Sequence, residues 1–98
     1  MISEQLYVWK FTPAARPDDP AWQGRTIWAD FRIVAATAGE AILLASRHDA
    51  AWGSNHAHEP ARRSGLEDPW LYRLDRLHPV DAGECPRGTV LTKCPLLP

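Results

Sequence analysis

The sequence predicts an α+β domain in which one helix packs on one face of a small antiparallel sheet. Four segments show the alternation of apolar and polar residues that is typical of strands. Between the second and third of them, apolar residues recur at helical spacing, so the predicted order is β-β-α-β-β. One helix covers only one face of a four-stranded sheet, and we therefore expect the other face to be open to water or to a partner.

Residues 5–12 are predicted to form the first strand, with Leu6 and Val8 turned inward toward the helix. Residues 13–24 follow as a loop, because three prolines remove backbone donors and an Asp-Asp-Pro sequence favours a turn. Trp22 lies within this loop. Its indole is large and apolar, so we expect Trp22 to fold back over the edge of the core rather than to contact a ligand.

Residues 27–34 are predicted to form the second strand, which the helix follows directly. Alternation places four apolar residues on one face of this strand: Ile27, Ala29, Phe31 and Ile33. Thr37 and Glu40 then fit a capping box, in which the Thr37 hydroxyl accepts the N–H of Glu40 and the Glu40 carboxylate accepts the N–H of Thr37. We expect the helix to run for about three to four turns and to end near Gly53.

Residues 54–69 are polar, and a loop of this length is often functional or mobile. Residues 70–77 and 89–94 alternate again and are predicted to form the third and fourth strands. The predicted core draws apolar residues from all five elements. They are Leu6, Val8, Ile27, Phe31, Ile33, Ala41, Leu44, Ala45, Leu74 and Val90.

The composition is that of one globular domain spanning residues 1–98, with 45% hydrophobic and 23% charged residues. Eleven basic and 12 acidic residues give a formal net charge of −1, which argues against duplex-DNA binding and against a basic membrane-surface helix. No apolar run reaches the length of a membrane span, and residues 1–5 lack the features of a secretory signal. We therefore expect a cytoplasmic protein without membrane association.

The two cysteines, Cys85 and Cys94, are separated by eight residues, which is not the paired spacing of a structural zinc site. We expect two reduced thiols, one of them packed in the sheet. A Cys85–His78 catalytic pair has no evident third residue to orient it. The chain also lacks a glycine-rich phosphate loop and a nucleophile elbow, so we expect neither enzymatic activity nor an obligatory cofactor.

The motif Asp19-Pro20-Ala21-Trp22-Gln23-Gly24, followed by a strand and by Gly39-Glu40-Ala41-Ile42-Leu43-Leu44-Ala45, resembles small uncharacterised proteobacterial proteins. In these proteins an Asp-Pro-Trp loop precedes a strand and an alanine-rich helix. Pro69-Trp70 and a late strand ending at Cys94 are similar in placement, and the resemblance covers about half of the chain. No activity is assigned to these proteins, so the resemblance implies a small bacterial α+β domain and no catalytic residues.

The densest cluster of metal-ligating side chains is formed by His56, His58 and Glu59, with His48 upstream on the predicted helix. In an extended segment His56 and His58 point the same way, and imidazole with carboxylate suits zinc. The spacing matches no established zinc motif. The alternative is a solvated loop whose histidines titrate near neutral pH.

The predicted open sheet face is the second candidate site. Trp28, Arg32 and Arg73 are expected to lie on it together, beside Asp30 and Asp75. Aromatic and arginine side chains are the usual anchors of protein interfaces, and they also stack on single-stranded bases. The alternating charges are equally consistent with cross-strand pairs in water.

The leading hypothesis is a non-enzymatic protein-interaction module, because five tryptophans exceed the need of one helix-on-sheet core. Its partner is either another protein or a second copy of the chain, bound through the open sheet face or an edge strand. A small metal-binding protein or zinc-dependent enzyme at His48, His56, His58 and Glu59 is one alternative. Single-stranded nucleic-acid binding on the open face is another, and the balanced charge disfavours it.

Overall fold

A computed structural model of the protein describes residues 5–22, 27–56 and 65–96. The regular elements are strand β1 (Leu6–Pro13), strand β2 (Trp28–Ala35), helix α1 (Ala38–His56), strand β3 (Tyr72–Val80) and strand β4 (Val90–Pro95). A first 3₁₀ turn (Pro20–Trp22) precedes β2, and a second 3₁₀ turn (Gly65–Glu67) precedes β3. Within the described ranges, no helix combines the length and apolarity that crossing a membrane requires.

The four strands form one antiparallel sheet in the order β3-β1-β2-β4. The described part of the chain thus has the predicted α+β character, with one α-helix and a four-stranded antiparallel sheet. Strands β1 and β3 pair along most of their length, and β2 and β4 extend the sheet on the other side of β1. The edges of the sheet are therefore β3 and β4.

One face of the sheet holds the main core. Phe11 of β1 lies opposite Phe31 of β2, and both belong to a buried cluster with Ala41 and Ala45 of α1. The small alanines let the helix lie close to the strands. In β1 the alternation puts Leu6 and Val8 on the opposite face from Phe11, so the prediction that they turn toward the helix is wrong.

Leu6 and Val8 are nevertheless buried, together with Val34 of β2 on the same face. The connection from β3 to β4 crosses this end of the sheet, since it has to pass β1 and β2 to reach the far edge. Gly88 of the connection donates its N–H to the Val34 carbonyl (2.8 Å), and Gly88 adopts a φ of 88° that favours glycine. The second face is therefore apolar and buried at this end.

The predicted core residues are all buried or partly buried. The predicted core included Phe31 but not the buried aromatic residues Phe11, Trp28 and Tyr72, and aromatic rings pack edge to face around Tyr72. Phe11 and Trp22 both contact the ring of Tyr72, with centroids 6.3 and 5.2 Å away. Trp22 is only 3% exposed, which confirms that it folds back over the core. Such aromatic pairs add about 0.5–1.5 kcal/mol each beyond area burial.

Trp28 is the main correction on β2. It is fully buried on the helix side, where its Nε1–H donates to Asp49 of α1 (3.0 Å) and its backbone N–H donates to the Tyr72 hydroxyl (2.8 Å). The cause is a β-bulge between Trp28 and Asp30 in the pairing of β2 with β4. The extra residue shifts the alternation by one position, so Trp28 lies on the opposite face from the one that strict alternation predicts. Ala29, predicted to face inward, is consequently exposed.

The start of α1 follows the predicted capping box in part. The Thr37 hydroxyl accepts the N–H of Glu40 (3.2 Å) as expected, whereas the Glu40 carboxylate accepts the N–H of Ala36 (3.1 Å) rather than that of Thr37. Glu40 also pairs with Arg87 (2.7 Å), which ties the helix start to the β3–β4 connection. The helix continues past Gly53 to residue 56, because a glycine costs a helix only about 1 kcal/mol and does not end it.

Candidate functional site

A tight turn over residues 68–71 leads into β3 and presents the most exposed large apolar side chain of the described chain. The Asp68 carboxylate accepts the N–H of Trp70 (2.8 Å), and the Asp68 carbonyl accepts the N–H of Leu71 (3.1 Å). The Leu71 carbonyl in turn accepts the N–H of Ala14 (2.8 Å). We call residues 68–71 the Trp70 turn, and these bonds hold it to the end of β1.

The side chains of Trp70 and Leu71 point to opposite environments. Leu71 is fully buried in the core, whereas Trp70 is 71% exposed. Because the backbone on both sides of the indole is hydrogen-bonded, Trp70 projects from an ordered turn. A projecting indole on a fixed backbone loses little conformational freedom on contact with a partner, which favours binding.

An apolar groove of about 560 Å³ lies next to this turn, on the helix side of the sheet. We define the groove by its lining, which is mainly apolar and aromatic. The lining comprises Phe11, Ala14, Ile42, Leu66, Pro69, Tyr72 and Leu74, with the charged residues Glu67, Asp68 and Arg73. Among the described elements α1 packs mainly on β2 and on the second 3₁₀ turn, and the groove lies beside them along β1 and β3.

The groove has the composition of a binding site for an apolar group. Its walls are mainly aromatic and aliphatic side chains, with the carboxylate residues Glu67 and Asp68 among its lining, while the guanidinium of Arg73 pairs with Asp75 on the other face of the sheet. Asp68 belongs both to the groove lining and to the hydrogen bonds of the Trp70 turn. The groove therefore adjoins the Trp70 turn.

The predicted open face carries a row of charged residues rather than an aromatic patch. Across three strands, Asp75 of β3 lies opposite Lys10 of β1, which lies opposite Arg32 of β2. Arg32 pairs with Asp30 (3.2 Å), and in β3 the exposed Arg73 pairs with Asp75 (3.1 Å). These are ion pairs at a solvated surface, and such pairs contribute little to stability.

Trp28 is buried on the helix side, whereas the register places Arg32 and Arg73 on the face away from the main core. Among the described strand residues of this face, none is aromatic, since the aromatic residues of β1 and β2 lie on the helix side. The arrangement supplies charge for a polar contact. It does not supply the stacking platform that single-stranded bases need.

The predicted metal cluster falls largely outside the described residues. His48 is exposed on α1, while His58, Glu59 and the side chain of His56 lie outside the described part. Within that part, no three side chains of His, Cys, Asp or Glu come together to hold a metal ion. Zinc binding at this cluster stays a hypothesis.

Both cysteines are free thiols. Cys94 lies in the edge strand β4 and is exposed, whereas Cys85 is half-buried in the β3–β4 connection. Neither is packed inside the sheet, so that part of the prediction is wrong. The physical reason is that β4 is an edge strand, with only one neighbour to cover it.

Sequence reasoning missed Trp70 as a site residue, because the alternation of residues 70–77 placed it inside the third strand. Its signal was the Asp68-Pro69 pair, which marks a turn and which also precedes Trp22 as Asp19-Pro20. Comparisons with protein-family models, with curated proteins and with solved structures each give no match.

Proposed function

We propose that this protein is a protein-interaction module that contacts its partner through Trp70 and the adjacent apolar groove. The observation that carries the proposal is an indole 71% exposed on a hydrogen-bonded turn. Tryptophan is among the residue types most enriched at the energetic centres of protein interfaces. Burial of such a side chain by a partner is worth about 1.5–3 kcal/mol, as for other large apolar side chains.

The groove supports the same function. Stable interfaces have an apolar centre surrounded by polar groups, and the groove combines Phe11, Leu66 and Leu74 with the charged Glu67 and Asp68. An apolar side chain of a partner would remove these walls from water while Trp70 contacts the partner beside it. The site would thus bury apolar surface from both sides of the contact.

The alternatives have less support from the described residues. Nucleic-acid binding on the open face relied on Trp28 as a stacking residue, and Trp28 lies in the core. The metal-binding hypothesis depends on side chains that lie largely outside the described part of the chain. A zinc titration followed by amide NMR tests it directly. Reversible, stoichiometric shifts around His48 would support it, and an unchanged spectrum would end it.

The proposal is tested by affinity capture with immobilised protein and a cell extract, followed by mass spectrometry. The test variant is Trp70→Ala. Leu43→Ala is the matched control, because Leu43 is another exposed large apolar residue and lies on α1, outside the groove lining. We expect proteins retained by wild type and by Leu43→Ala to be lost with Trp70→Ala.

The charged open face is tested in the same experiment with Arg32→Ala. The proposal predicts that this variant retains the partners of the wild type, because Arg32 lies on the other side of the sheet from the groove. If Trp70→Ala keeps every partner and Arg32→Ala loses them, the interaction surface is the open face and the Trp70 assignment is wrong.

A further inference from the structure

We infer that the open face of the sheet, the side away from α1, binds a phosphate group between Lys10 and Arg32. The ligand class is a small molecule that carries a phosphate. The inference goes beyond the proposed function, because the groove beside the Trp70 turn lies on the helix side of the sheet. It rests on the ion pairs of the open face, the register of its cations and the hydroxyl groups beside them.

The carboxylates of Asp30 and Asp75 on this face are engaged by arginines of their own strands. In β2 the Arg32 guanidinium donates through Nε and Nη2 to the two carboxylate oxygens of Asp30 (3.2 and 3.3 Å), which is a bidentate pair. In β3 the Arg73 Nε lies 3.2 and 3.1 Å from the two carboxylate oxygens of Asp75. Each pair joins residues two positions apart on one strand, so its charges largely cancel there.

Lys10 is the cation that these two pairs leave over. It lies on β1 between them, directly opposite Arg32 on one side and Asp75 on the other. Its side chain is half-buried, and within the described ranges no carboxylate lies at ion-pair distance from its ammonium group. The excess positive charge of the face is therefore at its centre, where it attracts an anion.

The register of β1 and β2 places two cations directly opposite each other. Lys10 and Arg32 are Cα partners, and like charges at such positions destabilise a strand pair. The Asp30 carboxylate offsets the charge of Arg32 and makes no pair with Lys10. An anion bound between the two side chains would replace this repulsion by two attractions, and this relief favours an anionic ligand at this position.

The polar groups around the two cations suit a phosphate. Thr92 is the Cα partner of Arg32, and Thr12 lies two residues beyond Lys10, on the same face of β1. Ammonium, guanidinium and hydroxyl groups are the side-chain donors that bind phosphate oxygens. A phosphate carries more charge than a carboxylate near neutral pH and offers three acceptor oxygens, so it can bridge both cations. The described strands place no aromatic residue here, so the phosphate itself is what the face recognises.

The test is a titration of the labelled full chain with inorganic phosphate, followed by amide NMR at constant pH and constant ionic strength. We expect saturable shifts at Lys10, Arg32 and their neighbours in β1 and β2, in the millimolar range because the site is open to solvent. Lys10→Gln should raise the Kd for phosphate about tenfold or more, whereas Lys10→Arg keeps the charge and should stay within about threefold of the wild type. Circular dichroism of each variant checks that the fold is retained.

Lys93→Gln is the matched control. Lys93 is a lysine of the same sheet, but it lies opposite Phe31 on the helix side, with its ammonium 5.6 Å from the centre of the Trp28 ring. This variant removes the same charge from the other face and should bind phosphate as the wild type does. Equal losses for Lys10→Gln and Lys93→Gln would mean that net charge causes the effect, and the Lys10 site would be wrong.

Two further results would overturn the inference. Shifts that grow without saturation, and that sodium chloride reproduces at the same ionic strength, would be a general salt effect. Acetate that binds as tightly as phosphate would show that the face does not select phosphate. Trp70→Ala should bind phosphate as the wild type does, so the phosphate site and the Trp70 surface stand or fall separately.

Discussion

Two turns of this protein have the same pattern of backbone hydrogen bonds, but the tryptophan of one turn is buried and the tryptophan of the other is exposed. In the first, the Asp19 carboxylate accepts the N–H of Ala21 (2.8 Å) and the Asp19 carbonyl accepts that of Trp22 (3.1 Å). In the Trp70 turn, Asp68 makes the same two bonds to Trp70 and Leu71, at 2.8 and 3.1 Å. Each aspartate is followed by a proline.

The difference lies in which residue occupies which position. The third residue after the aspartate points into the core in both turns, and it is Trp22 in one and Leu71 in the other. The second residue is the more exposed one, and it is Ala21 in one turn and Trp70 in the other. Burial is therefore set by position within the turn. An indole at the outward position is consistent with a surface made for contact.

The strongest test of this comparison is Trp22→Ala. Trp22 packs on Tyr72 and donates its Nε1–H to the carbonyl of Arg16 (2.7 Å), so truncation leaves a cavity and removes this hydrogen bond. We expect a loss of about 3–5 kcal/mol in the free energy of unfolding, measured by urea denaturation. A loss below about 1 kcal/mol would show that the loop does not close the core.

Leu71→Ala tests the same inward position in the second turn. Leu71 is fully buried in the cluster that contains Phe11 and Tyr72. We expect destabilisation of about 2–5 kcal/mol, somewhat less than for Trp22 because the side chain is smaller. A hydrogen-exchange map should show the added opening concentrated in β3 and the end of β1. A neutral substitution would contradict the equivalence of the two turns.

Asp68→Ala tests the hydrogen bond that orients Trp70. Loss of the carboxylate acceptor should cost about 1 kcal/mol of stability and loosen the turn, which should also weaken association through Trp70. Asp68→Asn is the matched control, since it keeps an acceptor oxygen and removes the charge. Equal effects of both substitutions on association would assign the role of Asp68 to its charge instead of its hydrogen bond.

Trp70→Ala should have the smallest effect on folding and the largest on binding. The indole is mostly exposed, so we expect the free energy of unfolding of the monomer to change by no more than about 0.5 kcal/mol. Unfolding at low protein concentration, where association is negligible, is the measurement. A large loss there would mean that Trp70 supports its own fold, and its exposure would no longer argue for a partner.

Much of the fold was predictable, because periodicity reports local geometry directly. The alternation of residues 5–12 and 27–34 anticipated β1 and β2, and the predicted cap at Thr37 marks the start of α1. The buried Phe11 and Trp28 were missed, whereas Leu6, Val8, Phe31 and Ile33 of these strands were identified by their apolar character. This succeeds because a buried position selects for apolar side chains whatever covers it.

The site was less predictable. Arg32 and Arg73 share the charged face because the pairing of β1 with β2 and with β3 is regular at these residues. Trp28 was misplaced because one inserted residue exchanges the two faces of a strand. The insertion is a β-bulge, which is defined only by the pairing with another strand and cannot be recognised in the sequence of β2 alone. Trp70 was misplaced because the boundary between a turn and a strand depends on hydrogen bonds to the end of β1.

Local sequence thus determined the type and approximate extent of each element, since backbone preferences and amphipathic period act over a few residues. The tertiary structure decided which face each strand turns to the helix, which of Trp22, Trp28 and Trp70 is buried, and where the groove opens. These depend on contacts between residues far apart in the chain. Their energies come from the packing of β1, β2 and β3 against one another and against α1.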